Sequence, residues 1–163
     1  MTDEATTEEV VKYAADLMRK NYEAVGFLPI PRLHAYAEAS QLWLQYENDD
    51  PCGYLVFGNG WPVLKVYQCC IQTDARRAEH ASTLIRALIR VAEDRDCLSV
   101  ALWCADDLES NFFWPAMGFE RSGARDNGNR RGRMHTQWVY CLQSDLFYTH
   151  ARCGKDIHAT ETQ

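Results

Sequence analysis

The stretch QTDARRAEHASTLIRAL, residues 72–88, decides the fold. Arg76 and Arg77 lead into the small residues Ala78, Ala81, Ser82 and Thr83, after which Leu84, Ile85, Leu88 and Ile89 recur at helical spacing. The pattern predicts a long helix from about Arg76 to Asp94. Its first turn suits an anion, because unpaired N–H groups and the positive end of the helix dipole gather there. Glu79 stands in that turn, where close approach of a phosphate calls for bare backbone. An acid in a first turn also complements the dipole, so Glu79 has a structural reading beside the functional one.

VLKVYQCCI before the helix and LSVALWCA after it both read as strands. Strand, helix, strand is a crossover, so these two are expected to be parallel neighbours. Further upstream, EVVKYAADLMRKNY spaces Val10, Val11, Ala14, Leu17 and Met18 as a first helix, with Thr6 or Thr7 as cap. GFLPIP breaks it, and RLHAYAEAS forms a short second helix after Pro31. QLWLQYE and GYLVFG read as strands joined by a turn at DDPCG, and NGWP turns into the third strand. Downstream, DLESNFFWPAM predicts a shorter helix with Gly118 as its left-handed C-cap, then FERSGAR and MHTQWVYCL predict a closing antiparallel pair. The expected class is α+β, a mixed and mostly antiparallel sheet with one parallel pair, flanked by helices. A single domain is expected over 1–142, with a partly flexible tail over 143–163.

Composition sets bounds. The 163 residues suit one core; 47% are hydrophobic and 25% charged, as in a soluble globular chain. No apolar run reaches the roughly 20 residues that span a bilayer, and MTDEATTEEV is acidic and polar where a signal peptide is basic and apolar. A cytoplasmic location without membrane attachment is expected. The cysteines, Cys52, Cys69, Cys70, Cys97, Cys104, Cys141 and Cys153, are odd in number and sit mostly in apolar segments, which favours reduced, buried thiols. No Cys-x-x-Cys pair occurs and the five histidines are scattered, so no metal site is expected. The net charge of −6 argues against a general polyanion-binding surface. Locally the balance reverses: ERSGARDNGNRRGR carries five arginines from Arg121 to Arg133 against one acid, Asp126. That segment reads either as a solvated hairpin loop or as a phosphate or nucleic-acid site.

With this order laid out, the chain resembles the GNAT (GCN5-related N-acetyltransferase) superfamily over roughly residues 40–142. One matching motif is the Arg/Gln-x-x-Gly-x-Gly/Ala signature that binds the pyrophosphate of coenzyme A. Arg76 takes its first position and Ala81 its last small position, while Glu79 replaces the first glycine. The other is NFFWPAMGFERSG, which is similar to the family's helix ending in aromatic-x-x-x-Gly-Phe, through Trp114, Gly118 and Phe119. Many members carry a tyrosine acid at the aromatic position; an indole N–H is too weak an acid for that role. DARR, WCADDLESNFFWPAMGF and NRRGR together also resemble the phage-encoded branch related to the Mom protein of phage Mu, which modifies adenine in DNA.

The resemblance implies acetyl-CoA or another acyl donor and a reactive centre near the ends of the two parallel strands. Cys70, Ile71 and Gln72 would line the donor arm. Arg76, Arg77, Ala78, Glu79, His80, Ala81 and Ser82 would form the phosphate turn, with Asn111 and Trp114 on the donor's other side. Asp106 and Asp107 are candidate bases, directly or through water, and equally candidate caps for the following helix. Tyr67 offers a hydroxyl, although a tyrosine on a central strand is ordinarily a core residue. Cys69 and Cys70 alternate faces, so only one is available to a ligand or to a cysteine acyl-enzyme. His80 is expected exposed rather than catalytic. For DNA, the candidate contacts are the arginine at the Ala124-Arg125 step, Arg130, Arg131 and Arg133. Three readings stay open: a Mom-like transferase acting on the adenine amino group in DNA, a conventional acetyl-CoA-dependent N-acetyltransferase of a small-molecule or protein amine, and a binding module of the same fold without catalysis. A homodimer is open too.

Overall fold

The computed structural model describes residues 5–126 and 132–142. Six strands are hydrogen-bonded in the order β1-β2-β3-β4-β6-β5, where β1 is Leu42–Glu47, β2 Asp50–Phe57, β3 Val63–Ile71, β4 Ser99–Ala105, β5 Glu120–Asp126 and β6 Met134–Cys141. The helices are α1 (Thr7–Lys20), α2 (Tyr22–Val25), α3 (Ile30–Glu38), α4 (His80–Asp94) and α5 (Ser110–Ala116). Among the described residues only β3 and β4 pair in parallel, as the crossover through α4 requires; the other pairings are antiparallel. The expected α+β class and element order are found. Contacts divide the chain into two compact units: residues up to Asn59 with Val66–Leu88, and Gly60–Lys65 with the residues from Ile89 on.

In the first unit, α1 opens on a capping box. Thr6 Oγ1 accepts the Glu9 N–H at 3.3 Å, and the Glu9 carboxylate accepts the Thr6 N–H at 2.8 Å. The buried stripe Val11, Ala14, Leu17 and Met18 packs with Leu33 of α3 and with Tyr54, Val56 and Cys70 of β2 and β3. Register explains that set: Tyr54 lies opposite Cys70 and Val56 opposite Gln68, so all four share one face. Gln68, 4% exposed, is satisfied there by the Tyr54 hydroxyl at 2.9 Å and by donating to the Val25 and Gly26 carbonyls at 3.1 Å.

Ahead of β3, boundaries differ from expectation at the first hairpin and at α3. The β1–β2 turn is Asn48–Asp49, not DDPCG; φ is 50° and 68° at these residues, and β2 already begins at Asp50. Asn and Asp tolerate left-handed backbone at modest cost, which is what a two-residue hairpin needs. Helix α3 starts at Ile30, ahead of Pro31, because a proline in a first turn withholds an N–H that has no acceptor in any case.

In the second unit, β4 and β6 pair along their whole length, from Ser99 opposite Cys141 to Ala105 opposite His135. The β3–β4 ladder joins Val63–Lys65 to Ser99–Ala101. Gly118, at φ 88°, ends α5 as expected. The tail from 143 on, with Cys153, lies outside the described residues.

Candidate active site

The phosphate turn departs from the simple helix start. Thr73–Ala75 make a 3₁₀ turn, Arg76 is extended (φ −67°, ψ 152°), and α4 begins only at His80. Arg77 and Glu79 take φ of 71° and 61°, with Ala78 between them outside the positive-φ residues. Alternation of left-handed with right-handed residues is the backbone pattern that turns successive N–H groups toward one side, as in an anion-binding nest. His80, Ala81 and Ser82 then present first-turn N–H groups with no acceptor inside the helix, while Thr83 N–H donates to the Glu79 carbonyl at 2.9 Å. Glu79 is exposed; it keeps the left-handed backbone that glycine adopts freely, so the turn's shape survives the replacement.

Side chains fasten this turn to the rest of the first unit. Arg76 donates from Nε to the Ile71 carbonyl at 3.2 Å and from NH2 to Asn21 Oδ1 at 2.9 Å. Gln72 donates from Nε2 to the Tyr13 hydroxyl at 2.9 Å, and its N–H donates to the Cys52 carbonyl at 2.8 Å. Burial pushes the Tyr13 phenol up to about 12, against the opposing effect of the Gln72 amide. His80 is not exposed as expected: only 12% of its side chain meets solvent, with Nε2 3.3 Å from Glu47 Oε1 and Nδ1 3.4 Å from Gln45 Nε2. One neutral tautomer satisfies both contacts, Nε2–H donating to Glu47 while Nδ1 accepts from Gln45. The end of β1 is thereby clamped to the first residue of α4.

On β3 the expectations divide. Cys70 is buried in the apolar cluster behind α1, and burial raises its thiol to about 11, with Arg76 opposing; Cys69 is raised to about 12, chiefly by burial. Neither thiol is a ready nucleophile at neutral pH. Tyr67 is not a core residue: it is 46% exposed and its ring lies 5.6 Å from that of Tyr36. Partial burial, with Tyr36 adding to it, raises the Tyr67 phenol.

The second unit holds the other candidates at the corner after β4. Asp106 is exposed and its Oδ1 accepts the Thr136 hydroxyl at 2.7 Å. Asp107 Oδ1 accepts from Arg133 Nε at 2.8 Å and NH2 at 2.7 Å, a contact that holds the Asp107 carboxyl below its ordinary range. Arg133, a candidate DNA contact, is thus tied to a carboxylate. Asn111 is fully engaged: Nδ2 donates to the Ala105 carbonyl at 2.7 Å and the Leu108 carbonyl at 2.9 Å, and Oδ1 accepts the Trp138 indole N–H at 3.0 Å. Trp114 is buried against Phe113 and Phe119, and its N–H makes no hydrogen bond of regular geometry among the described residues. It lies near Cys104, whose thiol is raised by burial, with Ser110 and the Trp114 indole opposing. Arg130 and Arg131 lie outside the described residues. Among the described residues no group of three or more His, Cys, Asp or Glu is placed to hold a metal, and no helix is long and apolar enough to cross a membrane.

Asn21, Gln45, Glu47 and Thr136 escaped the sequence reading, because each meets its partner across 30 to 55 residues of chain. No local spacing signals them.

Solved structures share this fold. Ard1 from Thermoplasma volcanium is 14% identical with a TM-score of 0.74, covering 86% of this chain and 95% of its own. Ribosomal-protein-S18-alanine N-acetyltransferase from Escherichia coli is 13% identical with a TM-score of 0.67, at 89% and 96% coverage. Rv2747 from Mycobacterium tuberculosis, solved with CoA, is 12% identical with a TM-score of 0.68, at 85% and 97% coverage. No curated protein matches by sequence. A model of the Acetyltransferase (GNAT) family matches residues 7–119, so the chain belongs to that family, whose chemistry is acyl transfer.

Proposed function

We propose that this protein is an N-acyltransferase that uses an acyl-CoA donor and an amine acceptor. The observation that carries the reading is the backbone turn from Arg76 to Ser82, with left-handed φ at Arg77 and Glu79 and open N–H groups at the start of α4. A pyrophosphate fits such a turn, with Arg77 as a nearby counter-charge. The bound thioester supplies an electrophilic acyl carbon and a thiolate leaving group. Asp106 is the better base of the two aspartates, since Asp107 is held by Arg133; directly or through water it takes the proton that the amine loses. Trp114 donates no proton. A thiolate leaving group would take its proton from solvent, since a thiol is acidic enough to depart without a strong acid.

The test compares acetyl-CoA with S-acetylpantetheine, which lacks the pyrophosphate, in thermal unfolding of the full chain. Acetyl-CoA at about 100 times Kd is expected to stabilise by about 2.7 kcal/mol, with a far smaller effect from the truncated donor. Equal effects would remove the turn from the reading.

A second reading concerns the acceptor. Arg121 and Arg125 lie exposed on the edge strand β5, within a segment of five arginines between 121 and 133. They favour DNA as substrate and a phage-type, Mom-like modification of the adenine amino group. Nucleoside mass spectrometry of plasmid DNA from expressing cells tests it, beside Asp106→Asn. A new mass on deoxyadenosine, absent in the variant, supports DNA; unmodified DNA with an active enzyme leaves the acceptor a small-molecule or protein amine.

A further inference from the structure

Among the described residues of the second unit, the buried Ser99 Oγ, Trp114 Nε1 and Gln137 Nε2 make no hydrogen bond of regular geometry, and of these Gln137 has conspicuous neighbours. Gln137, on β6, is 2% exposed, and its Nε2 meets no acceptor among the described residues. An amide donor buried in this state loses its bonds to water without replacement, which selection tolerates where a ligand supplies the acceptor. Register places Trp103 of β4 directly opposite Gln137 on one side and Gly123 of β5 opposite it on the other, so the three form a row on one face of the sheet. Gly123 leaves its place in the row open. A Cβ built there meets only Gln137 Oε1, at 3.6 Å, an ordinary contact, so packing does not demand the glycine.

The next row on that face carries Arg125 opposite His135. Arg125 is exposed, its Cζ lies 4.1 Å from the centre of the Trp103 ring, and no carboxylate pairs with it among the described residues. The contact with the Trp103 ring holds the guanidinium through its face and makes no hydrogen bond, so it uses none of the arginine's N–H donors. In the row on the other side, Lys65 and Glu120 stand at opposite ends, on β3 and β5.

We propose that Trp103, Arg125 and Gln137 form a binding site for a carboxylate borne on a flat group. The arginine edge and the glutamine amide are both donors, so the ligand must bring acceptors. The guanidinium selects for negative charge, and a carboxylate offers two oxygens, one for each donor. The half-buried indole and the gap left by Gly123 take the flat group to which the carboxylate is attached. The site lies on strands β4, β6 and β5 and does not involve the phosphate turn, so it stands or falls independently of donor binding.

Benzoate is the probe and benzamide its neutral isostere. Both are titrated into the full chain while the Gln137 side-chain NH2 resonances are followed by 1H–15N NMR, assigned by their loss in Gln137→Leu. Benzoate is expected to shift these resonances saturably, and benzamide at least about tenfold more weakly, the factor of one charge-assisted hydrogen bond. Arg125→Gln, an exposed change, should weaken benzoate about tenfold without altering the melting temperature. Gln137→Leu, read by indole fluorescence, should lose benzoate binding and melt higher than the parent, because its unpaired amide is gone. If Gln137→Leu does not fold, Arg125→Gln and the benzamide comparison decide. Equal shifts with the two probes, a shift that does not saturate, or undiminished binding in Arg125→Gln would overturn the proposal.

Discussion

The phosphate turn and the corner after β4 both hold polar groups in fixed positions, and they do so by opposite means. From Arg76 to Ser82 the backbone carries the arrangement. Two residues with side chains are held left-handed at about 1–3 kcal/mol each, while Gln72, Arg76 and His80 act as fasteners. From Ala105 to Asn111 no residue takes positive φ, and side chains carry the arrangement: Asp106 to Thr136, Asp107 to Arg133, Asn111 to Trp138. A site written in backbone angles tolerates side-chain replacement, as at Glu79. A site written in side-chain pairs does not.

The largest expected effect tests the second half of that contrast. Asn111→Ala strands the Trp138 indole N–H and releases two carbonyls, so a loss of about 2–4 kcal/mol is expected in urea unfolding. A loss under about 0.5 kcal/mol would mean that the corner's backbone holds itself. Next comes the turn. Glu79→Gly should stabilise the protein by about 1 kcal/mol, since glycine takes φ of 61° without strain, and should tighten acetyl-CoA binding by calorimetry. Glu79→Gln removes the charge and keeps the strain. Equal affinity gains in the two variants would assign the effect to charge, and no gain in either would detach the turn from the donor.

A third effect is read by alkylation and peptide mass spectrometry at neutral pH. Cys141, exposed, should label while Cys69 and Cys70, raised to about 12 and about 11, stay unmodified. Rapid labelling at Cys70 would revive a cysteine acyl-enzyme. The smallest concerns Asp107. Its folded carboxyl sits below the ordinary 3.8 because Arg133 binds the charged form, so its contribution is present above that value and disappears as pH falls through the lowered one. Asp107→Asn should therefore slightly flatten the acid limb of the stability curve, the pair being solvent-exposed. An unchanged limb would show that the pair adds nothing to folding.

The same contrast explains what the sequence made legible. Strand alternation and helical spacing are local, so the order of elements, the parallel pair and the Gly118 cap could be read directly. The four residues by which α4 starts later than its spacing suggests are hidden in sequence, because neither Arg77 nor Glu79 advertises a left-handed φ as glycine does. Pro51 is a turn signal in sequence, yet it pairs with Tyr46 inside the ladder next to a register shift, and the turn itself is Asn48–Asp49. The burial of His80 is also hidden in sequence, because its partner Glu47 is 33 residues away. Likewise nothing in DDLES tells which aspartate meets an arginine 26 residues on.

Among the described residues strand β5 ends the sheet, so one row of its backbone groups pairs with no described strand, the arrangement that recruits foreign chains into aggregates. Its ladder is interrupted between Arg121 and Gly123, and Glu120, Arg121, Arg125 and Asp126 place both signs of charge along it. An incoming strand would meet a broken register and mismatched charges. Colloidal stability in a crowded solution is thus written into the same few residues that make this edge look like a ligand surface.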